Sequence, residues 1–394
     1  MKKTVSVKIA IILIAVFLAT CGSTAPTSAA ESDPIIIGSV NDLSGNRSVT
    51  GNAINRGAQI AADEINAAGG VLGRKIKFIS YDNKNDGQES INAYARLVDV
   101  DGASAVVAPD ASSICLTLIE ISNEKKVPIV GMPSDPRATM DMATGLPNPY
   151  MFLVSQPNAI GQASLIASYL KDNTKWTQAA IFYDQSNAYA VVSCEAFIKE
   201  WKAMGKSVVI TETCNANDQD FKTQLSKIKA SGAEFIYTPN PTVQLVLMVQ
   251  QAAQLGIELP YAGAMDMANP FLSLLNDPKS ISLAYFEAIA WMKDPRLDAL
   301  NATYNKRYGE DAMVKAVNGY DAMYILKAAM EAAKSSEPEA IRDALENKIN
   351  GIKTLVSDHY SHDPATHAPL KLGMVICKIE NGELSNQGFY EIGK

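Results

Sequence analysis

Apolar positions along this chain follow two rhythms. Short β-branched or alternating runs at residues 35–40, 75–81, 105–108 and 127–130 predict strands, the first and last two of them buried on both faces. Between them, apolar residues recur every three or four positions. Ile54, Ala58, Ala61 and Ile65 share one helical face, and the glycines at 69 and 70 end that helix. Ile91, Tyr94 or Ala95, and Val98 mark a second helix over 88–100. Ile114, Leu118 and Ile121 mark a third over 113–125. Strand and helix in alternation predict a parallel sheet with helices on both faces.

From about residue 155 the same rhythm restarts. Helices are expected at 161–170, 188–204, 221–230 and 243–255, and strands at 178–183, 208–213, 234–238 and 261–263. After residue 282 the pattern changes to three helices, at 294–308, 317–334 and 337–348. Ser335 and Ser336 precede the last of these and Pro338 falls in its first turn. The end of the chain, 370–379 and 388–392, reads as a hairpin turning near Asn381-Gly382. Two α/β units of similar size predict a cleft between two lobes.

The stretch 103–139 carries the clearest candidate chemistry. Each of its two strands runs out into a loop with small hydroxyl residues: Asp110, Ser112 and Ser113 in one, Met132, Pro133, Ser134 and Asp135 in the other. Ligands of open parallel sheets sit outside the carboxyl ends of the strands. Ser112 and Ser113 begin a helix, whose free N–H groups and dipole favour a carboxylate or phosphate; simple capping needs only one serine. Tyr189, at the start of the 188–204 helix, either lies over a ligand or packs at the lobe surface. Asp266 is either an acid ahead of Asn269-Pro270 or the counter-charge for a ligand ammonium.

Composition narrows the function. The chain has 394 residues, enough for two cores, and its net charge of −7 argues against a nucleic-acid partner. Lys2, Lys3 and Lys8 precede an apolar run over 9–19, too short to cross a bilayer and suited to a signal peptide. The run ends at Leu18-Ala19-Thr20-Cys21. Lipidation at Cys21 with a tether over 22–32 is one outcome, and cleavage near Ser28-Ala29-Ala30 is the other; either way the protein is exported. Among the five cysteines, Cys194 and Cys214 are close enough in sequence to pair in an oxidising compartment, whereas Cys115 and Cys377 read as buried thiols.

No catalytic constellation or cofactor fingerprint emerges. Gly69-Gly70-Val71-Leu72-Gly73 ends a helix instead of following a strand, so it is not a dinucleotide loop. Gly131-Met132-Pro133-Ser134 lacks the glycine that a nucleophile elbow needs after its serine. His359, His362 and His367 lie among Asp358 and Asp363. Pro364 and Pro369 break any helix that would align the histidines, so the stretch reads as a solvated loop, with no metal expected.

The segments IIIGSVNDLSG, RGAQIAADEINAAGGVLGRKIKFISYDN, APDASS and VPIVGMPSD, with NAYA and NGYDAMYILKAAMEAA after them, resemble the periplasmic solute-binding proteins of the branched-chain (hydrophobic) amino-acid class of ABC transporters. The resemblance implies a type I binding-protein fold, two doubly wound parallel-sheet lobes joined by a three-segment hinge. It divides the chain into a signal peptide (1–20), a tether (21–33), a first lobe (34–155 with 288–365) and a second lobe (156–287 with 366–394). It implies a non-enzymatic monomer that passes its ligand to a membrane permease and ATPase, with sensing, or an aromatic acid or amide as ligand, as alternatives. By this resemblance Ser112 and Ser134 hold a ligand carboxylate, backbone at Met132 and Pro133 lies between them, and Tyr189 stacks on the ligand. Thr50 lines the pocket, and the ammonium partner falls at Met265 or Asp266. Two departures stand out. Pro241, with Asn240 beside it, stands where leucine-type binders carry an aromatic residue, and Asp110 adds charge to a loop that is often apolar. Both disfavour a plain leucine or valine ligand.

Overall fold

The computed structural model describes residues 33–370 and 373–391. The expectations for the signal peptide, Cys21 and the tether up to residue 32 lie outside the described residues. The first sheet is built from β1 (Ile35–Asn41), β2 (Ile76–Asp82), β3 (Ala105–Val107), β4 (Ile129–Gly131) and β5 (Met151–Leu153), in the order β2-β1-β3-β4-β5. Every pair in it is parallel. Its helices are α1 (Ser48–Ala67), α2 (Gly87–Asp99), α3 (Ser112–Thr117) and α4 (Ile119–Lys125).

The helix expected over 113–125 is therefore two helices. At the break, the Thr117 hydroxyl donates to the Ile114 carbonyl at 2.8 Å, a local bond that competes with the helical ladder. Leu118 turns the chain between the two, and its side chain is fully buried.

After β5 the chain enters the second unit through α5 (Ala159–Asn173). The second sheet holds β6 (Gln178–Asp184), β7 (Ser207–Cys214), β8 (Phe235–Thr238), β9 (Tyr261–Gly263), β10 (Leu283–Ala288), β11 (Met374–Glu380) and β12 (Glu383–Tyr390). Their order is β12-β11-β10-β9-β8-β6-β7, parallel from β7 to β10 and antiparallel at β11 and β12. The connecting helices are α6 (Ala188–Ala203), α7 (Lys222–Ala230) and α8 (Thr242–Gln254). The terminal hairpin turns at Asn381 and Gly382, both with positive φ, as a type I′ turn requires. β5 and β10 were not expected from the pattern. β5 has only three residues, and the buried Glu287 interrupts the apolar run of β10.

Between β10 and β11 the chain returns to the first sheet as α9 (Asp298–Tyr308), α10 (Val314–Ala333) and α11 (Pro338–Asn347). Helix α10 packs along α1 and against β3 and β4. Backbone contact makes this crossing possible. A Cβ on Gly57 would stand 1.9 Å from the Ala316 carbonyl oxygen, and one on Gly319 would stand 2.0 Å from that of Ile54. Glycine at both positions is what lets the two helices touch.

The histidine stretch is not a solvated loop. His359 is exposed, but His362 and His367 are buried against β5. The His367 ring stacks on Phe152 with centroids 4.2 Å apart, and its backbone carbonyl accepts from Leu153 N at 2.9 Å. His362 Nδ1 meets the Leu345 carbonyl at 3.2 Å, while Nε2 lies 2.9 Å from the Tyr360 hydroxyl. Nε2 also lies 3.1 Å from the Leu153 carbonyl, so every polar neighbour of the ring is a short contact from within the fold. These rings close the open edge of the first sheet, and apolar burial is what the polar spacing had hidden.

The pairing that the sequence leaves open for Cys194 and Cys214 is not made; both are free, buried thiols. Cys194 lies within α6 and Cys214 ends the edge strand β7, each inside the apolar core. Burial pushes the Cys194 thiol well up and that of Cys214 to about 12, so both stay protonated and unreactive.

Two expectations follow from this packing. Gly57→Ala should destabilise the protein by about 2 kcal/mol or more, the usual cost of overpacking; an unchanged unfolding midpoint in urea would refute the backbone contact. Burial depresses His362 to about 4, against the pull of the Leu153 and Leu345 carbonyls. Between its unfolded value, about 6.5, and pH 4, the unfolded chain takes up a proton that the native ring refuses. Stability should therefore fall as pH drops through this window, by an amount on the order of 3 kcal/mol from this ring. His362→Gln should flatten that part of the pH profile, measured by urea unfolding between pH 7 and pH 4.5.

Candidate functional site

The loops following β3 and β4 meet those following β6, β8 and β9 at a small cavity of about 20 Å³, room for about one water. Ser112, Met132, Ser134, Asp110, Tyr189 and Asp266 line it, six of the ten residues expected at the site. Arg47, Gln156, Gln162, Met265 and Lys315 line it as well. An outer recess of about 190 Å³ shares Arg47, Ala111, Asn187 and Pro241 with the cavity and continues outward.

The two serine loops are tied together. Ser112 Oγ accepts from Asp135 N at 3.1 Å, so its hydroxyl proton is left for another acceptor. Ser134 Oγ donates to the Met132 carbonyl at 3.2 Å and accepts from the Gln156 side-chain amide. The Asp135 carboxylate takes Arg137 N at 2.9 Å, which fixes the second loop from behind. Four expected residues stay outside the cavity lining. Ser113 faces the outer recess. Thr50 is buried and donates to the Arg47 carbonyl at 2.9 Å. Asn240 is buried and accepts from Asp184 N at 2.7 Å, while its neighbour Pro241 reaches the cavity instead. Pro133 is buried beside Met132 but does not line the cavity.

Charge is the least expected feature of the site. Asp110 does not face the cavity as a free carboxylate. Arg47 grips it with two bonds, Nε to Oδ1 at 3.1 Å and Nη2 to Oδ2 at 2.7 Å. Burial alone would raise the Asp110 carboxyl, yet the Arg47 guanidinium and the Lys315 ammonium outweigh it and hold it at about 2. Burial works against the Arg47 charge too, and Asp110 reverses it, so Arg47 stays cationic. The loop carrying Arg47 is itself anchored, because the Asp42 carboxylate accepts Arg47 N at 2.7 Å and Asp82 accepts Leu43 N at 2.8 Å.

Lys315 lies in the first turn of α10, with its side chain 9% exposed. Its Nζ stands 3.8 Å from Asp110 Oδ2 and 4.0 Å from Asp266 Oδ2. The two aspartates come from opposite sheets. Asp266 Oδ1 is buried without a hydrogen-bond partner among the described residues, and so is Gln156 Oε1. Tyr189 bridges to Gln162 through its hydroxyl at 2.8 Å, and burial raises its phenol well above the ordinary range. Glu287, deeper in β10, is pushed up strongly by burial, with Asp266 adding to the shift.

Sequence reasoning missed Arg47, Gln156, Gln162 and Lys315. Arg47 sits in a polar loop and Lys315 just ahead of the expected helix, where a cation normally means solvent. The helix begins three residues earlier than expected and takes Lys315 into its first turn, against the dipole.

The family model for periplasmic binding proteins matches residues 34–383. The chain belongs to the periplasmic binding protein family. Its members bind solutes and are not enzymes, and they work in the periplasm. A Leu/Ile/Val-binding protein, BraC3, of Rhizobium johnstonii is 27% identical over 368 residues, 91% of this chain and 92% of the relative. The branched-chain amino-acid binding protein LivJ of Streptococcus pneumoniae, solved with isoleucine, superposes with a TM-score of 0.80 at 26% identity, over 91% of this chain and 99% of that one. A binding protein of R. palustris solved with benzoate shares the fold alone, with a TM-score of 0.78 at 16% identity over 90% and 96% of the two chains. The parallel sheets and the crossing segments described above are those of a type I periplasmic binding protein.

Proposed function

We propose that this protein is the solute-binding component of an ABC importer and captures an amino acid between two lobes, residues 34–155 with 288–365 and residues 156–287 with 366–394. The observation that carries the reading is the pair of unsatisfied poles facing one cavity. Asp266 offers a buried, unpartnered carboxylate oxygen, and Ser112 offers a free hydroxyl donor. A zwitterion has the matching poles, and the lobes part to admit it, since the cavity as it stands holds about one water. The zwitterion's carboxylate takes the Ser112 hydroxyl proton, and its ammonium takes Asp266 and the free oxygen of Gln156.

Charge supports the same reading. Arg47 and Lys315 balance Asp110 and Asp266, and a bare carboxylate without an ammonium leaves the free oxygen of Asp266 without a partner. The branched-chain amino acids named for BraC3 and LivJ are zwitterions of this kind. Ligand contacts to both walls stabilise the closed arrangement, the general means by which such lobes close. The closed protein then passes its cargo to a membrane permease and ATPase as a monomer. Cys21 carries the lipid anchor, with 22–32 as tether.

Thermal shift and calorimetry against amino acids, aromatic acids and amides test the binding claim. Amino acids should raise the melting point by mass action, and Asp266→Ala should weaken them about 10- to 100-fold, the worth of a charge-assisted bond. Shifts with sugars or aromatic acids alone would overturn the assignment. Mass spectrometry of the exported chain should find a diacylated N-terminal Cys21. An unmodified start after Ala30 would remove the anchor.

A further inference from the structure

Lys315 has a role that α-amino-acid capture leaves unused. Resting on the amino-acid reading, we propose that Lys315 determines specificity: it reads a second oxygen acceptor on the ligand side chain, so that the cargo is an acidic or carboxamide amino acid and not a branched alkyl one.

The residue is costly where it stands. It is a buried ammonium in the first turn of α10, against the helix dipole. It has three N–H donors, and neither Asp110 nor Asp266 lies within hydrogen-bond distance of its Nζ. Asp110 is already held by both arms of the Arg47 fork, so it has little left to give. Once a ligand ammonium reaches Asp266, Lys315 loses the pull of that carboxylate and faces a second cation nearby. A ligand with an alkyl side chain would leave its N–H groups with no acceptor at hydrogen-bond distance and only Asp110, 3.8 Å away, as counter-charge.

A side-chain carboxylate or carboxamide oxygen supplies the missing acceptor. The α-carboxylate stays with the Ser112 hydroxyl, on a loop that the Asp135 N–H ties to the loop of Ser134. Among the other polar residues of the lining, Arg47 is committed to Asp110, and the Gln156 and Gln162 amide groups donate to Ser134 and to the Pro157 carbonyl, while Met132, Met265, Pro239 and Pro241 are apolar. Lys315 is therefore its partner. A site that hydrogen-bonds a ligand group rejects analogues lacking it far more strongly than an apolar pocket rejects an extra methylene.

Calorimetry on the full mature chain with glutamate, aspartate, glutamine, asparagine, leucine and valine tests this. The acidic or the amide pair should bind at least ~10-fold tighter than leucine, the worth of one bond to a charged donor. Comparing the two pairs shows whether the second group is a carboxylate or a carboxamide. Lys315→Met should collapse the ratio of that pair to leucine towards one, and Lys315→Arg should retain most of it. Circular dichroism melts of both variants separate loss of preference from loss of fold. A wild-type preference for leucine, or a ratio unmoved by Lys315→Met in a folded variant, overturns the proposal and leaves amino-acid capture standing. Binding of none of the six amino acids overturns the amino-acid reading itself.

Discussion

The contact between α1 and α10 is the constraint on which the site depends. Helix α10 belongs to the first sheet in space but follows the second sheet in sequence. It can take its place only because Gly57 and Gly319 let the two backbones meet. Ala316, whose carbonyl rests on Gly57, is the next residue after Lys315. Moving the crossing outward by a methyl group would carry Lys315 away from the serine loops. Helix packing and ligand chemistry are thus one problem here, and a stability change at Gly57 is also a change in pocket electrostatics.

The second organising element is the buried ion pair of Arg47 and Asp110. A buried pair gains little net stability once desolvation is counted, yet removing one partner leaves an uncompensated charge. Its value lies in geometry. Asp42 and Asp82 hold the loop, the loop holds Arg47, and Arg47 holds Asp110 two residues ahead of Ser112. The serine hydroxyl is therefore presented from a framework whose own bonds are already made, which is what a preorganised binding site requires.

Local periodicity was enough to read most strands and helices, and the rule that ligands sit at strand carboxyl ends was enough to bring Ser112, Met132 and Ser134 together. The rest depended on long-range burial. Asp110 looked like a ligand-selecting charge because Arg47, its partner, lies on a different loop with no pattern of its own. His362 and His367 looked solvated because nothing in their neighbourhood announces Phe152 above them. Cys194 and Cys214 looked pairable by sequence distance, a measure blind to the strand and helix that hold them apart as separate buried thiols. Lys315 fell just ahead of an expected helix start, and only the three-dimensional crossing turns it inward.

The charges divide between the walls in a way that links recognition to closure. The first sheet contributes Arg47, Lys315 and Asp110, a net positive wall, and the second contributes Asp266, a negative one. A ligand with both poles joins the walls at once, so each pole strengthens the hold of the other on the closed arrangement. A ligand with one pole can be held by one wall but gives the other no reason to approach. The free energy of closure then resides in the polar head of the ligand, common to all amino acids. Discrimination among them is left to the side chain, and the Lys315 ammonium, with no acceptor at hydrogen-bond distance, stands ready to supply it.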